Sequence, residues 1–327
     1  MTSKVIFGLT APADAGALAE LTFPAYRHLL TLDPQPRHRQ KVHGTLPPVQ
    51  PVAIAGAVQG VPIGLVLAEV PVDGEGEPEL LSLFVKREAR LQGVGTRLMG
   101  ELAEEIAGRG FQSMRAIYMT GKPDIVGLEK IFWKQGWSPP DTRMTVLRLT
   151  QDDLDKLSWM HWTRMPKNYE TVLWKDLRPE DMEDLKRSDA KEGWIPADLR
   201  PWEHDRIGFE PVTSMALKID GRVVGWVVNH ALSETMVRYT SSYIHPEHWR
   251  RCALLRLWRA SFLRMPEAGF EVATLTSHAR HPQMVAFIRK HVAPVVSWVA
   301  ETRGTRRTFG GDNTDATGGD RVSGSVE

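Results

Sequence analysis

The stretch Leu80–Met99, LLSLFVKREARLQGVGTRLM, decides how this chain of 327 residues is read. Its opening run, Leu80 to Val85, is rich in branched and aromatic side chains, as a buried strand is. Lys86, Arg87, Glu88 and Arg90 follow, then Gly93 and Gly95, and beyond Thr96 the residues Leu98, Leu102 and Ile106 recur at helical spacing. A strand entering a glycine-rich turn that opens a helix gathers unpaired backbone N–H groups in one concavity. The helix dipole adds partial positive charge there, which suits a phosphate or pyrophosphate. Glycine serves because a side chain would block the ligand and resist the backbone angles. A dinucleotide fingerprint fits less well: Leu98 stands where its third glycine belongs, and seven residues separate Val85 from Gly93. The plainer reading is a tight connection without a ligand.

The segment Arg90–Gly95, R-L-Q-G-V-G, resembles the Q/R-x-x-G-x-G/A signature of the GCN5-related N-acetyltransferase superfamily. In that family the signature follows a central strand and cradles the pyrophosphate of acetyl-coenzyme A. Strand, spacing, glycines and helix all take part in the resemblance. It implies coenzyme contacts from Leu83, Val85, Arg90, Leu91, Gln92, Gly93, Val94, Gly95 and Thr96. It also implies that a backbone N–H near Val85, where the strand splays from its neighbour, polarises the thioester.

The flanking pattern agrees. Lys4 to Thr10 reads as a strand and the following residues as a weak helix. Asp33 to Gln50, with four prolines, His38 and His43, reads as a long loop. Val52–Val58 and Pro62–Val70 read as a hairpin about Gln59-Gly60. After the glycine turn come a helix stopped at Gly108 and Gly110, a strand Met114–Met119, a helix Pro123–Gln135 and a strand Met144–Leu149. This is the order of the acetyltransferase fold.

The second half repeats the first. Gly60 and Gly64 match Gly221 and Gly225 at an offset of 161; Val85, Gly110-Phe111, Pro123 and Val126 match Ile244, Gly269-Phe270, Pro282 and Val285 at 159. The expected fold class is therefore α/β, with mixed α+β sheets in two tandem acetyltransferase-like domains. Residues 1–150 hold the intact loop, 151–170 are a linker, 171–301 a degenerate copy, and 302–327 a disordered tail. At the 159 offset Arg90 falls on Trp249, Gly93 on Cys252 and Gly95 on Leu254, so the second loop should not admit a pyrophosphate.

Composition narrows the class. The chain has 42% hydrophobic and 25% charged residues with a net charge of +1, so the overall balance calls for neither nucleic acid nor an anionic membrane. A single cysteine, Cys252, excludes an internal disulfide and fits a reducing, cytoplasmic setting. No secretory signal or membrane span is read in it. His245, His248 and Cys252 have a spacing that could hold a metal, but no motif supplies a fourth ligand, and we assign none. Arg250, Arg251, Arg256, Arg259 and Arg264 read as a solvated helix face ahead of an RNA surface. Nine of the eleven tryptophans follow position 158, which reads first as packing and second as a binding cleft.

Acyl transfer to an amine needs a proton acceptor and something to stabilise the leaving thiolate. Glu79 stands at the start of the central strand, where the histone-acetylating branch of the family has its catalytic glutamate; a solvated turn residue is the plainer reading, and Glu69 is the reserve. Strict alternation would put Glu79 on one face with Leu81, Leu83 and Val85. Many family members carry a tyrosine in the last helix where this chain has Phe132, leaving Tyr118 as the candidate acid. The expected activity is acetyl-coenzyme A-dependent N-acetylation of a small-molecule amine, such as a specialised metabolite or antibiotic. The rivals are an aminoacyl-tRNA donor on the same fold and a non-catalytic, coenzyme-binding or dimerising module. A homodimer is an open partner, and nucleic acid enters only with the tRNA donor.

Overall fold

The computed structural model describes residues 4–34, 48–162, 164, 166–205 and 208–310. Residues 35–47, which hold His38 and His43 of the expected long loop, lie outside these, as do residues 311–327 of the expected tail. Strand β1 (Val5–Leu9) leads into short helical turns over residues 12–31, among them α1 (Ala15–Leu18), where sequence periodicity had pointed to one weak helix. Then come β2 (Val49–Val58), β3 (Val61–Pro71), β4 (Glu79–Val85), α2 (Val94–Gly108), β5 (Ser113–Met119), α3 (Ile125–Lys134) and β6 (Asp141–Thr150). After α4 (Gln151–Asp155), the second half runs β7 (Tyr169–Leu173), α5 (Pro179–Glu192), β8 (Met215–Ile219), β9 (Arg222–Ala231) and β10 (Met236–Ile244). It closes with α6 (Ala253–Phe262), β11 (Val272–His278), α7 (Pro282–His291) and β12 (Trp298–Thr308).

The repeat is visible in backbone detail. Strands β5 and β11 begin and end 159 residues apart, and so do the starts of α2 and α6. The β2–β3 hairpin turns on Gln59 (φ 50) and Gly60 (φ 79), and the β8–β9 hairpin on Asp220 (φ 50) and Gly221 (φ 76). Two consecutive left-handed residues are what a two-residue hairpin matched to strand twist requires. Gly64 and Gly225 are both closely covered: a Cβ on the first would meet the Phe84 carbonyl oxygen at 3.1 Å, and on the second that of Tyr243 at 2.7 Å.

All twelve strands join one sheet, in the order β1-β2-β3-β4-β5-β12-β6-β11-β10-β9-β8-β7. The halves exchange their last strands: β12 lies antiparallel between β5 and β6, and β6 lies antiparallel between β12 and β11. The sequence reading ended the second domain at residue 301, but Thr302–Thr308 are strand, paired residue for residue with Met119–Ser113 of the first half. The side chains of β12 account for the difference. Its charged residues find partners across the junction, so a strand with little apolar periodicity is still held. Arg306 bonds Glu77, Arg307 bonds Gln135 and Arg303 bonds Glu129.

One face of the first half's sheet packs on α2 and α3 through Val66, Ala68, Leu80, Leu98, Leu102 and Phe132. Each such large side chain contributes roughly 1.5–3 kcal/mol by leaving water. The opposite face packs on the turns of residues 12–31 through Leu18, Leu21, Leu29, Leu65 and Leu67. The second half has its own core around Trp258, Phe262, Leu257 and Leu275.

Candidate active site

A bulge creates the site. Along the β3–β4 ladder Ala68 pairs with Leu80 and Leu67 with Ser82, leaving Leu81 as the extra residue. A bulge adds local twist and turns a strand from its neighbour. The parallel pairing of β4 with β5 covers only Glu79↔Arg115 and Leu80↔Ala116. From Leu81 onward the two strands part, so the notch opens earlier along the strand than the expected position near Val85. The second half repeats this: Thr240 is the skipped residue of β10, and its pairing with β11 ends at Tyr239↔Leu275.

The glycine loop stands at the mouth of the first notch. Gly93, at φ 82, caps α2, and Leu91 just before it is also left-handed at φ 61. A β-carbon at position 95 would lie 3.0 Å from Ile131 Cδ1 and 3.6 Å from Val85 Cγ2, so any larger side chain would push into the notch wall. The first turn of α2 offers backbone N–H groups without intrahelical partners, as every helix start does. Val94 is buried beneath the loop, Leu91 is fully exposed, and Leu83 and Val85 are half-buried beside the notch. Gln92 ties the loop back to the Glu88 carbonyl at 2.9 Å, and the Thr96 carbonyl accepts from Gln135 at 3.1 Å. Arg90 bridges the two lips: its Nε donates to the Val85 carbonyl at 3.0 Å and its Nη1 to Asp124, after β5, at 2.9 Å. Arg90 supplies charge suited to a pyrophosphate, and Gly93, where a β-carbon would meet nothing within 4 Å, leaves the loop open on its outer side.

Glu79 is not where alternation placed it. Leu80, Leu83 and Val85 pack toward α2 and α3, whereas Leu81 and Phe84 pack toward the opposite layer. The bulged Leu81 reverses the phase, so Glu79 shares the opposite face with Glu69, its direct partner across β3 and β4. Both glutamates are 3% exposed. Oε2 of Glu79 accepts from Nε and Nη2 of Arg115, at 3.1 and 2.8 Å.

Tyr118 lies on the α3 face of β5, against Phe132 with ring centroids 5.5 Å apart. Its hydroxyl donates to Glu129 Oε1 at 2.7 Å, and Arg303 Nη1 donates to the same oxygen at 2.9 Å. Burial first, and then the hydrogen bond to the Glu129 carboxylate, push the Tyr118 phenol well above its usual range. Arg303 in turn bonds Glu301, which accepts from Thr142 at 3.0 Å. The structure thus adds Arg115, Asp124, Glu129, Glu301 and Arg303 to the candidates named from sequence. Only contacts across the fold identify them; no motif in the sequence does.

Two other sequence features resolve differently. His245 and His248 are brought together with Glu247, and Cys252 is not part of that group among the described residues. Arginines of α6 hold the linker: Arg259 donates to the Met160 carbonyl at 2.8 Å, and Arg256 bonds the Arg164 carbonyl and stacks over Trp162. No helix of the described residues is long and apolar enough to cross a membrane.

Residues 17–123 match the model of the acetyltransferase (GNAT) family, a span that holds β2 to β5, α2 and the glycine loop. The first half carries a GNAT acetyltransferase domain. The fold of the whole chain resembles that of a tandem GNAT protein from the clavulanic acid biosynthesis pathway, at 15% identity and a TM-score of 0.54, over 95% of this chain and 100% of that one. A GCN5-related N-acetyltransferase from Sphaerobacter thermophilus gives 16% identity and a TM-score of 0.53, over 93% and 95% of the two chains. A glucosamine N-acetyltransferase region of a fungal multi-domain β-N-acetylglucosaminidase gives 14% and 0.53, over 93% of this chain and 38% of that one. At these identities the likeness is one of fold. No curated protein sequence matches the chain.

Proposed function

We propose that the GNAT domain of the first half transfers an acyl group, acetyl in the simplest case, from acyl-coenzyme A to an amine of a small molecule. The observation that carries this reading is the notch that opens at Leu81 with the Gly93–Gly95 turn at its mouth. In this reading the N–H groups at the start of α2 and the Arg90 guanidinium hold the donor's pyrophosphate. Leu83 and Val85 line the arm that carries the thioester. The backbone of β4 past Leu81, released from β5, polarises the thioester carbonyl.

The acceptor then approaches from the face opposite α2 and α3, where Glu69 and Glu79 lie. The amine nitrogen bonds to the carbonyl carbon, the carbon–sulfur bond breaks, and Glu79 takes the amine's proton. Arg115 holds that carboxylate in place. Tyr118 stays protonated throughout neutral pH, and on turning from Glu129 its hydroxyl donates a hydrogen bond to the departing sulfur. The sulfur leaves as thiolate and is protonated afterwards from bulk solvent, to which Glu79 gives up the amine's proton.

The test is release of free thiol from acetyl-coenzyme A in the presence of a panel of small primary amines. Amine-dependent release, lost in Gly95→Leu, is expected. Release that never rises above the amine-free background would contradict the transfer reading, and donor binding without turnover would favour a coenzyme-binding module.

A further inference from the structure

A large cleft lies in the second half, whose glycine loop is gone. It occupies the gap between β10 and β11 and has a volume of about 1100 Å³. Its floor is made by Tyr239, Trp258, Leu275 and Ile288, which are at most 4% exposed. Its walls are Leu254 and Leu255 of α6 and Met284 and Phe287 of α7. A site of this size with apolar walls and a few polar groups is the usual form of a small-molecule pocket.

The loop explains what does not bind there. Cys252 keeps the left-handed turn of Gly93, at φ 51, so the backbone path survives. Leu254, in the place of Gly95, instead lines the cleft. Leu254 adds hydrocarbon at a loop position where the first half has glycine, and a desolvated phosphate beside it would be costly.

The open end of the cleft is polar. Asp198 Oδ2 and His281 Nε2 are 2.8 Å apart, and Arg280 stands 3.8 Å from the same oxygen. Burial, then the charges of Arg280 and Arg143, lower the His278 pKa. Arg280 lines this end with its side chain more than half exposed, touching His278 at 3.2 Å, and Asp198, the carboxylate beside it, is held more closely by His281. The guanidinium is thus left able to meet an anion at the cleft's end.

We propose that the β10–β11 cleft binds an elongated apolar molecule with an anionic head, a fatty-acid-like ligand, with its chain between α6 and α7 and its carboxylate at Arg280. The second half is then a binding domain for a ligand unlike the first half's donor. The site is independent of the catalytic reading above, and its failure would leave that reading intact.

The experiment is calorimetric titration of the full chain with dodecanoate, kept below its aggregation range. One equivalent per chain is expected, with saturating coenzyme A leaving the affinity unchanged. Arg280→Glu should weaken binding about tenfold or more, since it replaces a charge-assisted contact by repulsion. Arg280 is 56% exposed, so this variant should keep the fold. Dodecanol should bind more weakly than dodecanoate. Absence of binding, displacement by coenzyme A, or equal affinity in Arg280→Glu would each overturn the proposal.

Discussion

Arg303, on the last strand of the second half, donates from Nη1 to Glu129 of the first half at 2.9 Å, and that glutamate accepts the Tyr118 hydroxyl. The contact exists only because β12 crosses into the first half's sheet. A GNAT domain is thus completed by a strand that arrives more than a hundred residues after its own last helix.

A chain cut after Thr150 loses β12 from between β5 and β6. Strand β6 runs in the same direction as β5, since both are antiparallel to β12, and does not close the gap without reversing. The edges left bare are pairing surfaces. We expect the fragment 1–150 to form a homodimer in which each copy's β6 takes the place of β12, the exchange the intact chain makes with itself. Sedimentation of the fragment decides: a stable, folded monomer would contradict the account.

Glu79 and Arg115 supply the second prediction. Glu79→Gln keeps the shape but removes the proton acceptor, and turnover should fall by something like 10²–10⁴-fold with donor affinity retained. The loss should shrink at high pH, where more of the amine is already neutral. A variant whose pH–rate profile matches the original in height and form moves the role to Glu69 or water.

These two predictions mark what was legible in the sequence and what was not. The hairpin at Gln59-Gly60, the capping Gly93 and the 159-residue repeat are written in local chemistry, and the structure keeps all three. The phase of Glu79 was not legible, because one bulged residue at Leu81 reverses every side chain before it. Nor was the exchange of β12: Arg303, Arg306 and Arg307 resemble a solvated tail until their partners on other elements are seen. Glu129 lay unnoticed on α3 for the same reason. A hydrogen bond between residues 118 and 129 depends on how a helix docks, which spacing does not encode.

Acid stability should carry the mark of Asp181 on α5. Burial alone would raise its pKa, but hydrogen bonds from Lys218 and Arg178 overcome this and hold it at about 2, below the ordinary 3.8. A carboxyl depressed on folding stabilises above its unfolded value and loses that contribution as pH falls from 3.8 through about 2. Asp181→Asn should remove about 2 kcal/mol at neutral pH and flatten the acid limb of the stability curve. Chemical denaturation at several pH values tests this, and an unchanged acid limb would refute it.

The central claim is that the first half alone holds the donor, at the Gly93–Gly95 turn. Calorimetry with coenzyme A measures it most directly, on the intact chain, on Gly95→Ala and on Gly95→Leu. A β-carbon at position 95 meets the flexible end of Ile131 at 3.0 Å, so alanine should be tolerated while leucine fills the notch mouth. The account predicts one equivalent per chain, affinity largely kept in Gly95→Ala and lost in a folded Gly95→Leu. Two equivalents in the unmodified protein, or unchanged affinity in Gly95→Leu, would contradict it.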